Sequence, residues 1–63
     1  MKNRIKELRE EKNLTQEDLA NLLETSRQTI ISLEKGKYNP SIMLAYKISK
    51  VFNKIIEEIF IFE

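Results

Sequence analysis

The chain has one glycine and one proline among its 63 residues, and both fall in one short stretch, Gly36-Lys37-Tyr38-Asn39-Pro40. Nothing else in the sequence breaks a helix outright, and much of the remainder consists of good helix formers. An all-α chain is therefore expected, with its helices delimited by caps. Cysteine and histidine are absent. Disulfides and thiolate or imidazole metal ligands are thus excluded as supports, and no metal or other cofactor is expected. A chain this short buries only about 60% of the surface that its unfolded form exposes. One domain spanning residues 1–63 is expected, held by helix packing, with oligomerisation as a supplement.

Caps divide the chain into five helices. The first fits Arg4 to Lys12, with Ile5 and Leu8 on one face and Asn13 as a C′ residue. Thr15 caps the second, whose first turn holds Gln16, Glu17 and Asp18 and whose apolar side holds Leu19, Ala20, Leu22 and Leu23. Ser26 caps the third, which runs to Glu34 or Lys35 and stops at Gly36, with Ile30 and Leu33 inward. Only Glu24 and Thr25 separate it from the second. Ser41 caps the fourth, which runs to Phe52 with Leu44, Ile48, Val51 and Phe52 as one apolar stripe, and Asn53 ends it. A fifth, short helix fits Ile56 to Phe60. The tail Ile59-Phe60-Ile61-Phe62-Glu63 is so rich in β-branched and aromatic residues that it reads equally well as a strand.

The net charge is only +1, but it is unevenly spread. Residues 25–54 carry Arg27, Lys35, Lys37, Lys47, Lys50 and Lys54 against Glu34 alone, or +5. Residues 15–24 and 55–63 each carry three acidic side chains and no basic one. A basic middle segment is what a polyanion-binding face needs, and an ordinary lysine-rich solvated surface gives the same pattern. No run approaches the roughly 20 apolar residues that span a membrane, and the N-terminus has no apolar signal segment. A soluble cytoplasmic protein without a membrane partner is expected. With no histidine or cysteine, no phosphate-binding glycine loop and no evident carboxylate pair, an enzyme is not expected.

The closely joined second and third helices carry the functional argument. A helix with its side chains is ~10–12 Å across and the major groove of B-DNA is ~12 Å wide, so one helix of such a pair fits the groove while the other crosses the backbone. The inserted helix must begin with side chains able to read base edges. Here its start is Ser26-Arg27-Gln28-Thr29. Arg27 suits guanine O6 and N7, and Gln28 suits adenine N6 and N7. Ser32 lies one turn beyond Gln28 on the same face. Ile31 suits a thymine methyl, or is a scattered surface apolar residue. Four polar residues also describe a capped helix face with no ligand.

Three runs together strongly resemble the phage repressor and Cro (XRE-like) family of helix-turn-helix regulators. They are Leu14-Thr15-Gln16-Glu17-Asp18-Leu19-Ala20, Ser26-Arg27-Gln28-Thr29-Ile30, and Leu33-Glu34-Lys35-Gly36-Lys37-Tyr38-Asn39-Pro40-Ser41. The resemblance covers about residues 4–60 and is greatest to short stand-alone members of the cytolysin-operon repressor type. It implies a five-helix lambda-repressor-like fold, with a small antiparallel pair formed by the chain ends, and double-stranded DNA as partner. By position it implies base contacts from Arg27, Gln28 and Ser32, to which the reading of the helix face adds Thr29 and Ile31. It implies phosphate contacts from Gln16, Lys35, Lys37, Tyr38, Asn39 and Arg9, and Ser26 at the start of the third helix is expected to add another. Arg9 and Glu34 match a pair that joins the first helix to the third in some members. Glu34 is the one acid of the basic segment, which favours that pair over two separate surface charges. The family often has glycine where this chain has Glu24 and Asn53, and a serine or threonine cap where it has Ile55.

One domain touches too few base pairs to select a genomic site, and a two-fold dimer solves this on a palindromic operator. Ile55, Ile56, Ile59, Phe60, Ile61 and Phe62 are six large apolar residues in eight positions. The tail is expected beside Met1-Lys2-Asn3, with Ile55, Ile59, Phe60, Ile61 and Phe62 facing a second copy. Completion of the monomer core is the alternative. The expected function is transcriptional regulation, with repression by steric block as the commoner outcome in the family. With no second domain, no small-molecule pocket is evident. The rival reading is an antitoxin or protein-interaction module with the same fold.

Overall fold

The computed structural model describes residues 1–62. Five helices follow one another: α1 (Ile5–Glu11), α2 (Gln16–Leu22), α3 (Arg27–Glu34), α4 (Ile42–Phe52) and α5 (Ile56–Ile59). The caps read from the sequence are the caps used. The Thr15 hydroxyl accepts from the Asp18 amide at 3.0 Å, and the Asp18 carboxylate accepts from the Thr15 amide at 2.9 Å. This reciprocal box satisfies two amides at the start of α2. Hydrogen bonding to the Asp18 carboxylate, first from the Thr15 amide and second from the Thr15 side chain, holds that carboxyl below the usual range. A lowered pKa means that this support is whole at neutral pH and lost only as acid titrates the carboxylate through its folded value. Ser26 and Ser41 accept in the same way from the amides of Thr29 and Leu44.

The helix ends share one device. Asn13, Glu24, Gly36 and Asn53 all have left-handed backbone, with φ of 58°, 57°, 72° and 53°. Behind each, the next amide reaches back five residues. Leu14 donates to Arg9, Thr25 to Ala20, Lys37 to Ser32 and Lys54 to Ser49, all at 2.9–3.1 Å. These bonds satisfy carbonyls that a helix end otherwise leaves open. Glycine and asparagine tolerate this backbone readily, whereas glutamate does not. Glu24 is therefore strained at the turn between α2 and α3. Substitution Glu24→Gly relieves about 1–2 kcal/mol of strain, offset in part by roughly 0.4–1 kcal/mol of added chain entropy. The expected outcome in a thermal melt is a midpoint raised by a few degrees, despite loss of the exposed Lys47–Glu24 ion pair at 3.2 Å.

The core is built from Ile5 and Leu8 of α1, Leu19 and Ala20 of α2 with Leu23 behind it, Ile30 and Leu33 of α3, Ala45, Ile48 and Phe52 of α4, and Ile59 and Phe60. Three expectations shift. Leu22 points outward, because the inward face of α2 is completed by Leu23. The α4 stripe is centred on Ala45, Ile48 and Phe52, and Leu44 and Val51 only flank it. The fifth helix is shorter than the span Ile56 to Phe60: Phe60 has already turned to extended backbone. Ile55 has no side-chain acceptor to cap it, and Glu58 contributes the one side-chain bond of that start, accepting from the Ile55 amide at 3.1 Å.

The chain ends lie side by side. Asn3 and Phe60 form a single antiparallel bridge, flanked by the Arg4 amide donating to Ile59 at 2.7 Å and the Ile61 amide donating to Lys2 at 2.9 Å. This pairing corrects the expected dimer surface. Ile59 and Phe60 are 0% and 3% exposed within one chain, so they complete the monomer core. Ile55, Ile61 and Phe62 remain exposed, together with Met1.

Candidate nucleic-acid interface

Helices α2 and α3 pack closely on each other through Leu19, Ala20, Leu23, Ile30 and Leu33, and the remaining face of α3 is turned outward. Arg27 and Gln28 are exposed on its first turn, and Ser32 is half-buried one turn on. Gln28, Thr29 and Ser32 share a shallow depression with Ser26, Lys37 and Tyr38. The outward face of α3 is thus continuous with the loop after it, where Lys35, Lys37, Tyr38 and Asn39 are all exposed. A second depression, lined by Arg9, Thr15, Gln16, Glu17 and Arg27, continues this surface to the start of α2.

Not every side chain of this surface is equally available. The Thr29 hydroxyl lies 3.0 Å from that of Ser26, so both are engaged in the cap of α3. Ile31 is half-buried, which leaves only part of it able to meet a ligand.

Beneath the surface, three helices meet at Glu34. Arg9 Nε donates to Glu34 Oε2 at 2.7 Å, and Nη2 reaches Oε1 at 3.5 Å. Arg9 Nη1 donates to the Leu14 carbonyl at 2.8 Å. Gln16 Nε2 donates to Glu34 Oε1 at 3.1 Å. Only 10% of the Arg9 side chain and 6% of the Glu34 side chain remain exposed. A buried charge needs such company, since an isolated one is strongly penalised. Arg9 therefore ties α1 to the end of α3 and offers little of itself to an outside phosphate. Gln16, at the first position of α2, is only partly buried.

Sequence reasoning missed one set of contacts at this site. Asn3 Nδ2 donates to the Leu33 carbonyl at 2.8 Å, and the terminal ammonium of Met1 donates to the Gly36 carbonyl at 2.7 Å. Both lie at the end of α3 and come from residues some thirty positions away, a distance over which local patterns carry no signal. Gly36 is doubly constrained there, because a Cβ would sit 3.0 Å from the Met1 carbonyl oxygen. Among the described residues no acidic cluster is placed to hold a metal ion, and no helix is long and apolar enough to cross a membrane.

The helix-turn-helix family matches residues 5–59. An HTH-type transcriptional regulator of Archaeoglobus fulgidus is 60% identical over all 63 residues of this chain and 89% of its own length. One from Methanocaldococcus jannaschii is 62% identical over the whole chain and 96% of its own length. YgzD of Bacillus subtilis, another HTH-type transcriptional regulator, is 45% identical over 95% of this chain and 91% of its own length. With two capped helices joined by a tight turn, a polar outward helix face and relatives of nearly its own size, this chain belongs to the XRE-like helix-turn-helix family of transcriptional regulators.

Proposed function

We propose that the chain binds double-stranded DNA by sequence, as a homodimer on a palindromic operator, and represses transcription by occupying it. The observation that carries this reading is the continuous outward surface of α3 and its following loop, on which Arg27 and Gln28 stand clear of the core. Arg27 and Gln28 read base edges, with Ser32 beside them. Thr29 and Ile31 touch the same groove with what their partial burial leaves free. Gln16 and Ser26 at two helix starts, and Lys35, Lys37, Tyr38 and Asn39 in the loop, hold phosphates and fix register. Arg9 acts chiefly through Glu34.

The second copy covers Ile55, Ile61 and Phe62, the apolar residues of the C-terminal segment that remain exposed in the monomer. The molecule measures 28 × 21 × 19 Å. Two copies side by side are of the size needed to present recognition helices ~34 Å apart, one turn of DNA. The cytoplasm is where such a regulator meets its operator.

Selection from random duplex DNA tests the proposal. The expected product is an inverted repeat with half-site centres about 10 base pairs apart; enrichment of no duplex would refute it. The loop has its own test. Lys37→Ala is expected to weaken binding to operator and to unrelated duplex about equally. The slope of log affinity against log salt should fall by ~1. A loss confined to the operator would make Lys37 a base reader.

A further inference from the structure

We propose that Asn3 is a positioning residue for DNA reading, tying the end of the recognition helix to the paired chain ends. The inference rests on α3 being the recognition helix. Three parts of the molecule meet at this one side chain. Its Oδ1 accepts from the Ile5 amide at 3.1 Å, which anchors the start of α1. Its Nδ2 donates to the Leu33 carbonyl in the last turn of α3 at 2.8 Å, and to the Met1 carbonyl at 3.2 Å. Its backbone forms the bridge to Phe60. The Leu33 carbonyl already accepts from the Gly36 amide at 3.0 Å, and Asn3 takes its second lone pair.

This geometry gives Asn3 a mechanical role. The exposed tail residues Ile61 and Phe62 directly follow the bridge. A second copy seated there is connected to α3 through the backbone of Phe60, the backbone of Asn3 and its carboxamide, beside the Met1 ammonium on the Gly36 carbonyl. Asn3 therefore sets the orientation of the reading face relative to the two-fold axis. In a dimer, that orientation decides whether two copies of α3 enter successive major grooves together.

Asn3→Asp separates this role from a merely structural one. Aspartate keeps an oxygen for the Ile5 amide and removes the donor to Leu33. The full-length variant is compared with the unaltered protein by circular dichroism and sedimentation. Affinity is then measured for the selected operator, for a scrambled duplex, and for operators with half-site spacing changed by one base pair. Helix content and mass are expected to be unchanged. The operator-to-scrambled affinity ratio is expected to fall about five- to tenfold, the worth of one lost hydrogen bond. The preference for one spacing should flatten. The added negative charge acts on both duplexes alike and cancels in the ratio. If Asn3→Asp folds poorly, Asn3→Ser, which retains a capping hydroxyl but cannot reach Leu33, supplies the same comparison. An unchanged ratio and spacing preference in either folded variant overturns the proposal. An unaltered protein that prefers no duplex would show itself before any variant is made, and would overturn the recognition-helix reading and this inference together.

Discussion

Replacing Glu34 by alanine is expected to destabilise the protein by about 3–5 kcal/mol, the effect of stranding one member of a buried ion pair. Arg9 would keep only the Leu14 carbonyl as acceptor, and Gln16 would lose its partner. Folded domains hold roughly 0.05–0.15 kcal/mol per residue, so for a chain of 63 residues this loss removes at least about a third of the margin. Thermal melting should show a midpoint at least about 12 °C lower, or no cooperative transition. The double replacement Arg9→Met with Glu34→Leu is expected to recover much of that loss, since apolar side chains of similar volume replace a buried pair with little penalty. A small effect of Glu34→Ala would mean that solvent reaches the pair. The group would then be a surface contact rather than the junction of α1, α2 and α3.

Arg27→Ala is expected to do the opposite, sparing the fold and removing the reading. Arg27 is exposed, and substitutions at such sites usually change stability by no more than about 0.5 kcal/mol. A bidentate contact to guanine discriminates by roughly 1–3 kcal/mol, and a dimer makes it twice. Operator preference should therefore fall by about 30-fold to 10⁴-fold, while weak binding to any duplex persists through the lysines. Binding curves on operator and scrambled DNA at one salt concentration check this. Preserved preference would remove Arg27 from the reading face and, with it, the assignment of α3.

The two variants divide the site into a buried half and an exposed half, and the sequence displayed these halves unequally. The exposed half was legible because its rules are local. Thr15, Ser26 and Ser41 are the polar caps that helix starts favour, and Gly36 and Asn53 are residues that tolerate left-handed backbone. The polar start of α3 follows from the cap alone. Arg9 and Glu34 were legible by resemblance and by the oddity of one acid in a basic segment, and the geometry shows that Gln16 joins them. The Glu24 side chain itself gives no hint of left-handed backbone; the one pointer was the glycine that the family often has at that position. Leu22 and Leu23 are chemically alike, and a single step of helix rotation decides which is buried. The tail was hardest. Six apolar residues in a row of eight have no single period, and Ile59 and Phe60 could be placed in the core only once the bridge to Asn3 was known. That bridge joins positions at opposite ends of the chain, where neither propensity nor periodicity reaches.

The central claim is that the outward face of α3 reads bases in the major groove. Methylation interference on the selected operator tests it most directly, because N7-methylguanine is altered in the major groove and N3-methyladenine in the minor groove. The prediction is that N7-methylguanine within each half-site blocks binding of the unaltered protein and that the block at one such guanine disappears with Arg27→Ala. Interference only from N3-methyladenine, or an N7 pattern indifferent to Arg27, would contradict it.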